Sequence, residues 1–318
     1  MDKSHHKNHK VSTARLSVIS NTILVLLKLI VGVALGSVSI ISEAIHSGMD
    51  LFASLIALIS VRKSSEPPDR DHEYGHGKFE DISGLVEAVL IFVAAILIIQ
   101  EAGLKLLYPG EESLNPLLMY AGIAVMGISA LMNWYVSARL MKVAKETDSI
   151  ALESDAWHLR TDVYTSLGVF TGLILIRITG IAALDSFVAM GVGLVIIKTA
   201  FDLTIRSYNH LIDHRITDGE EARIRKIICE HTSEYVSYHN LRTRRAGPEI
   251  FIDFHLVLDG KIPVEQAHDL TDHLESDLKT EFPNVSITIH VEPCTGECQD
   301  CENFCDNRKK PIICLNNH

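Results

Sequence analysis

Cysteine is missing from the apolar part of this sequence: of six, five fall within the last 25 of its 318 residues and the other is Cys229. No H-E-x-x-H pair occurs, and no small-residue cleavage site follows the first apolar run, whose approach MDKSHHKNHKVSTAR is polar and basic. These absences argue against thiolate capture of soft ions in the apolar segments, against the helical zinc-peptidase signature, and against a cleavable leader. Positive charge is also short. Lys and Arg number 29 against 40 Asp and Glu, a formal balance of -11, which excludes nucleic acid as an expected partner. The acidic surplus gathers outside the apolar runs, mainly after Asp213.

What is present is a mixture. Hydrophobic residues make up 47% and mean hydropathy is positive, yet 22% of residues are charged. That combination predicts a membrane half joined to a soluble half. Six apolar segments, at about 14–36, 38–62, 80–107, 115–141, 150–177 and 181–207, each approach the roughly 20 residues that cross a bilayer. Lys3, Lys7, Lys10 and Arg15, then Arg62, Lys63, Arg70 and Lys78, then Arg139, Lys142 and Lys145 fall on one side of this arrangement. The opposite loops, GS near residue 36, YPGEESLNP and RITG, carry almost none. The positive-inside rule therefore puts both termini in the cytosol, in agreement with an even number of spans. Lys28, Glu43, Glu87 and Asp185 interrupt the spans, so parts of these helices should face one another or a wet cavity. Recurrent Gly and Ala in spans one, three, five and six suit close helix packing.

Two four-residue spacings carry the chemistry. His46 and Asp50 lie in one apolar run, and His158 and Asp162 in another. On a helix, positions i and i+4 share a face, so each segment offers one imidazole and one carboxylate in the same direction. Two such helices side by side supply two nitrogens and two oxygens, a donor set suited to tetrahedral Zn²⁺, and two carboxylates cancel its charge. A lone buried His or Asp is often a satisfied interhelical hydrogen bond, but duplication of the pair favours a metal site. In the loop EPPDRDHEYGHGKFED, Asp69, His72 and His76 form D-x₂-H-x₃-H, a second candidate, with Gly75 and Gly77 allowing a sharp turn.

After Asp213 the pattern becomes that of a small soluble domain. An amphipathic helix is expected over about 217–232, with Ala222, Ile224, Ile227 and Ile228 in its core. A strand follows near 236–245, then the alternating EIFIDFHLVLD, a helix with Ala267, Leu270, Leu274 and Leu278 on one stripe, and the alternating VSITIHVE. The order is α-β-β-α-β, an open sheet with helices on one face. His239, His255, His268, His290 and Glu292 are its candidate ligands. Cys294, Cys298, Cys301 and Cys305 could capture metal, as could the amino-terminal HHKNH, although neither spacing matches a standard motif.

Taken in order, IHSGMD, DHEYGHGKFE, WHLRTD, LRTRRAGPEIFIDFHL and ITIHVEP give the sequence its kinship. From about residue 12 to 293 it resembles the cation diffusion facilitator family, bacterial divalent-metal/proton antiporters of the zinc/ferrous-iron efflux type. The resemblance implies six transmembrane helices and a cytosolic, metallochaperone-like α+β domain. It divides the chain into a His-rich cytosolic N-terminus (1–13), a transmembrane domain (14–208), a cytosolic metal-binding domain (209–293) and a Cys-containing tail (294–318). It further implies a transport site at His46, Asp50, His158 and Asp162, a loop site at Asp69, His72 and His76, and a cytosolic site at His239, His255, His268, His290 and Glu292. A homodimer is implied, with Lys78 and Asp213 as candidates for a charged contact between the two parts. Two-His, two-Asp sites in the family are associated with zinc preference over cadmium, whereas some members have Asp at the position of His46. Glu292 stands where the relatives closest in pattern carry Asp, which leaves the metal geometry there open.

The expected activity is Zn²⁺ efflux from the cytosol in exchange for protons, across an inner (plasma) membrane crossed several times, with metal binding to the cytosolic domain as regulator. Fe²⁺, Mn²⁺, Co²⁺, Ni²⁺ or Cd²⁺ are alternative cargo, because mixed nitrogen and oxygen ligands do not exclude them. A non-transporting metal sensor is a second reading. A membrane metallohydrolase is a third, disfavoured because four protein donors leave no open position for water; an enzyme is not expected.

Overall fold

In a computed structural model, residues 3–35, 38–107, 116–179 and 183–294 are described. The cysteines at 298, 301, 305 and 314, and the side chains of His5, His6 and Asp185, fall outside that description. The chain divides into two compact units between Leu211 and Ile212.

Among the described residues, the first unit consists of six helices: α1 (Lys3–Leu35), α2 (Val38–Ser64), α3 (Lys78–Leu107), α4 (Pro116–Thr147), α5 (Ile150–Thr179) and α6 (Ala183–Leu211). Asn8–Ala34, Glu43–Ser64, Lys78–Leu104 and Ser186–Leu211 are long and apolar enough to cross a membrane by themselves. Helices α4 and α5 have 32 and 30 residues. At about 1.5 Å per residue each exceeds the roughly 30 Å of a hydrocarbon core. Large apolar side chains point outward along these helices; Ile30 and Val33 are 66% and 65% exposed. Such a surface needs an apolar solvent.

Small residues bring α3 and α6 together. A Cβ on Gly84 would meet Ser207 Oγ at 2.9 Å, and one on Gly193 would meet Ile99 at 2.6 Å. Between them Ala88, Ile91, Ala95, Ile196, Ala200 and Leu203 form a buried seam. Helix α1 begins well before the apolar run. Its extension carries Lys10 into a buried contact with Glu80 of α3, 2.5 Å from Nζ to Oε1. Ser64 and Ser149 also donate to Glu80. Pairing of this kind is what makes a buried charge tolerable.

The second unit contains α7 (Asp218–Glu230), β1 (Ser237–Ala246), β2 (Glu249–Asp259), α8 (Val264–Glu281) and β3 (Val285–Cys294). It is the expected α-β-β-α-β unit. Thr217 and Glu220 form a capping box at the start of α7, satisfying two amides that the helix leaves over. The sheet order is β1-β2-β3. A two-residue turn through Gly247, at φ 55°, joins the antiparallel pair β1–β2. Helix α8 provides the crossover that the parallel pair β2–β3 requires. Ile250, Ile252, Phe254, Leu256 and Leu258 of β2 are buried against Ile224, Ile228, Leu270, Leu274 and Leu278. Ala222 is exposed, contrary to its expected core position. Two residues turn a helix by about 200°, so burial of Ile224 directs Ala222 away from the sheet.

Candidate metal centres

Helices α2 and α5 are in contact, which brings the two His/Asp pairs together. His158 Nε2 lies 3.1 Å from Asp50 Oδ1, and His46 Nε2 lies 3.7 Å from Asp162 Oδ1. One ligand atom each from His46, Asp50 and Asp162 falls within 4.8 Å of the others. The pairing is thus crossed, each imidazole facing the carboxylate of the other helix. Asp50 is buried and the His158 ring nearly so, while the His46 side chain is 56% exposed. A cavity of about 90 Å³ borders His46 and Asp162 and is lined also by Lys28, Glu43, Asn133 and Thr165.

Neighbouring polar groups hold the donors in place. Asn133 Nδ2 of α4 donates to Asp162 Oδ2 at 3.1 Å, leaving the other oxygen to face His46. Asn21 Nδ2 of α1 donates to the Asp50 carbonyl at 3.3 Å, fixing the backbone at that ligand. Lys28 Nζ donates to Ser47 Oγ at 2.8 Å and Glu43 Oε2 at 3.2 Å, so this intramembrane cation is paired beside the site. Asn133 was not among the residues expected from sequence. It is an uncharged polar residue in an apolar run, and only its approach from a third helix gives it a role.

The loop donors form a compact group as well. Asp69 Oδ1 lies 3.1 Å from His72 Nδ1, and Asp69 Oδ2 lies 3.1 Å from His76 Nε2. Gly75, at φ 82°, supplies the left-handed turn that brings His76 back toward Asp69. The His76 ring is buried. The backbone amide of His72 donates to the Asp69 carboxylate at 2.7 Å, joined by that of Asp71 at 3.0 Å. The His72 amide first, then its side chain and the Asp71 amide, hold the carboxyl down to about 2.

In the second unit, strand register aligns three histidines across the outer face of the sheet. His239 pairs with His255, and His255 with His290. Neighbouring ring centroids are 5.1 and 4.9 Å apart. Glu292 accepts from or faces all three: Oε1 is 2.8 Å from His255 Nδ1 and 3.7 Å from His290 Nε2, and Oε2 is 3.4 Å from His239 Nε2. His239, His255 and Glu292 can share one ion. His268 is not brought into this group; it stands exposed on α8, 3.6 Å from Asp272.

Comparison with known proteins gives the chain its family. Residues 14–212 match the family described as "Cation efflux transmembrane domain", and residues 216–294 match "Cation efflux protein, cytoplasmic domain". The chain is 31% identical over 287 residues to the cation-efflux pump FieF of Shewanella oneidensis, covering 89% of this chain and 94% of that one. It is 33% identical over 258 residues to an uncharacterized transporter, sll1263, of Synechocystis, covering 81% and 82%. A solved chain of CzrB in its Zn form shares 46% identity over 27% of this chain and 96% of its own, with a TM-score of 0.25. The chain is an integral membrane protein with a helical transmembrane domain and a cytoplasmic domain, and it belongs to the cation diffusion facilitator family of cation efflux transporters.

Proposed function

We propose that the protein exports Zn²⁺ from the cytosol in exchange for protons, and that His46, Asp50, His158 and Asp162 carry the ion. The observation that supports this reading most is the crossed arrangement of two imidazoles and two carboxylates between α2 and α5. Two carboxylates neutralise a divalent ion, and nitrogen and oxygen donors without thiolate suit zinc. When the ion leaves, the same carboxylates remain in a medium hostile to charge. Protons can take the ion's place on Asp50 or Asp162, or on the imidazoles, so metal and proton compete for one set of atoms. Two more carboxyls, Glu87 on α3 and Asp155 on α5, are fully buried in this unit. A carboxyl so placed is least costly when neutral, which favours protons as counter-substrate.

On this reading α2 and α5 expose the ligands to one side of an inner membrane at a time, with both termini in the cytosol, and no bond of the substrate is made or broken. The protein is a transporter and not an enzyme. Two chains associate as a homodimer, and metal at His239, His255, His290 and Glu292 shifts the population of transport states.

The test is zinc flux into proteoliposomes driven by a pH gradient. Asp50→Ala and His158→Ala should each abolish coupled flux. Undiminished flux in both variants would show that the ion travels elsewhere, and zinc binding without flux in the native protein would favour a sensor.

A further inference from the structure

The second unit holds another group of donors, separate from the histidines on the outer face of the sheet. His231 caps the carboxyl end of α7, Glu234 lies three residues on in the turn toward β1, and His273 stands on α8. One ligand atom from each falls within 4.8 Å of the others. The imidazoles meet edge to face, with centroids 4.9 Å apart. One helical turn after His273, Asp277 sets Oδ2 3.3 Å from His231 Nε2 and 3.9 Å from His273 Nε2.

We propose that His231, Glu234, His273 and Asp277 form a divalent-metal site of the zinc class, which ties the end of α7 to α8. The strongest argument is the hydrogen bonding of His231. Its ring is buried, and Nδ1 lies 3.1 Å from the carbonyl oxygen of Ile227. A carbonyl only accepts, so Nδ1 bears the hydrogen, and in the neutral ring Nε2 presents a lone pair. That lone pair faces a carboxylate oxygen, an arrangement that a metal ion between the two atoms would satisfy, as would a second ring proton. A ring nitrogen anchored on a backbone carbonyl, with the other free, is the usual support of a metal-ligating histidine.

The chemistry and the fold agree with this. Two imidazoles with carboxylate oxygens suit Zn²⁺ or Co²⁺ better than the all-oxygen demand of Mg²⁺ or Ca²⁺. Glu234 and His273 are exposed, so an ion can reach the site from solvent. The donors arrive from the end of α7, the turn that follows it and α8, so an ion here would brace the helix layer from the side opposite the histidine ladder.

The measurement is metal content. Full-length protein in detergent, stripped with chelator and then equilibrated with Zn²⁺, is assayed for bound zinc per protomer. H273Q and H231Q/H273Q should each bind one ion fewer than the native chain, and the corresponding Co²⁺ complexes should lose ligand-field absorption. Zinc flux should persist, since the transport ligands are untouched. H273Q alters only an exposed side chain, so its result is independent of any folding defect caused by replacing buried His231. An unchanged count in H273Q together with an unchanged Co²⁺ spectrum would overturn the site, and would indicate that a protonated His231 simply pairs with Asp277. Failure of the native protein to transport zinc would refute the transport reading without changing this count.

Discussion

Asn133 offers the sharpest test of how the proposed transport donors are held. It is buried, and its amide donates to Asp162 Oδ2 at 3.1 Å. A hydrogen bond to a charged group contributes about 1.5–3 kcal/mol. At about 1.4 kcal/mol per tenfold, losing it corresponds to a roughly 10- to 100-fold weaker site. The range known for residues that support metal ligands, about 10- to 100-fold, is the same. Metal requires the ionised carboxylate, which the Asn133 amide favours over the protonated one, so Asn133→Ala should weaken zinc binding while making protonation easier. In proteoliposomes the variant should raise the KM for zinc by at least about tenfold and lower the external proton concentration needed for half-maximal exchange. Flux at saturating zinc should fall much less. An apparent KM within about threefold of the native value, less than 0.7 kcal/mol, would refute the orienting role, provided the variant keeps its thermal unfolding profile.

Other consequences are mostly about stability. Lys10→Met should destabilise the membrane unit by about 3–5 kcal/mol, because Glu80 is then left buried without its cation; adding Glu80→Gln should recover part of the loss, as read from detergent-induced unfolding. Leu274→Ala should cost the second unit about 2–5 kcal/mol, since this side chain is wholly buried beneath β2; urea denaturation monitored by circular dichroism checks it. Thr217→Ala removes half of the capping box and should cost about 1 kcal/mol in the same assay. Burial would raise the Glu220 carboxyl, but the Thr217 hydrogen bonds and the Arg245 guanidinium outweigh it and hold the group below its ordinary value. With the folded value the lower one, this stabilisation is fully present above about pH 4.3 and is lost as pH falls through the depressed folded value. The urea midpoint should therefore drop on acidification below that point, and Glu220→Gln should flatten the drop.

The limits of sequence reading here follow from geometry. His46 with Asp50, and His158 with Asp162, could be found because a single helix turn places each pair on one face and the apolar context makes both conspicuous. The loop donors Asp69, His72 and His76 are close in sequence, so spacing alone suggested a cluster. His239, His255 and His290 needed one more step, the period of two along a strand, and the register then sets them side by side. His268 shows where this reasoning stops. Its residue type fits, but it stands on α8 beside Asp272, outside that ladder.

Contacts that depend on how whole elements approach leave no periodic signature. Lys10 meets Glu80 across 70 residues, and Asn133 meets Asp162 across 29. His231 ends one helix while His273 stands on another, so neither spacing nor alternation connects them. The contrast accounts for why the two halves of the proposed transport site were legible although they too come from different helices. Each half already carries a nitrogen and an oxygen donor at helical spacing, so each announces itself, and the pairing of α2 with α5 adds only the crossing. A site assembled from one donor per element has no such internal repeat. For this protein the proposed metal-carrying ligands are therefore written in local sequence, whereas the groups that orient them, and the ion site proposed at the end of α7 and α8, exist only once the helices have packed.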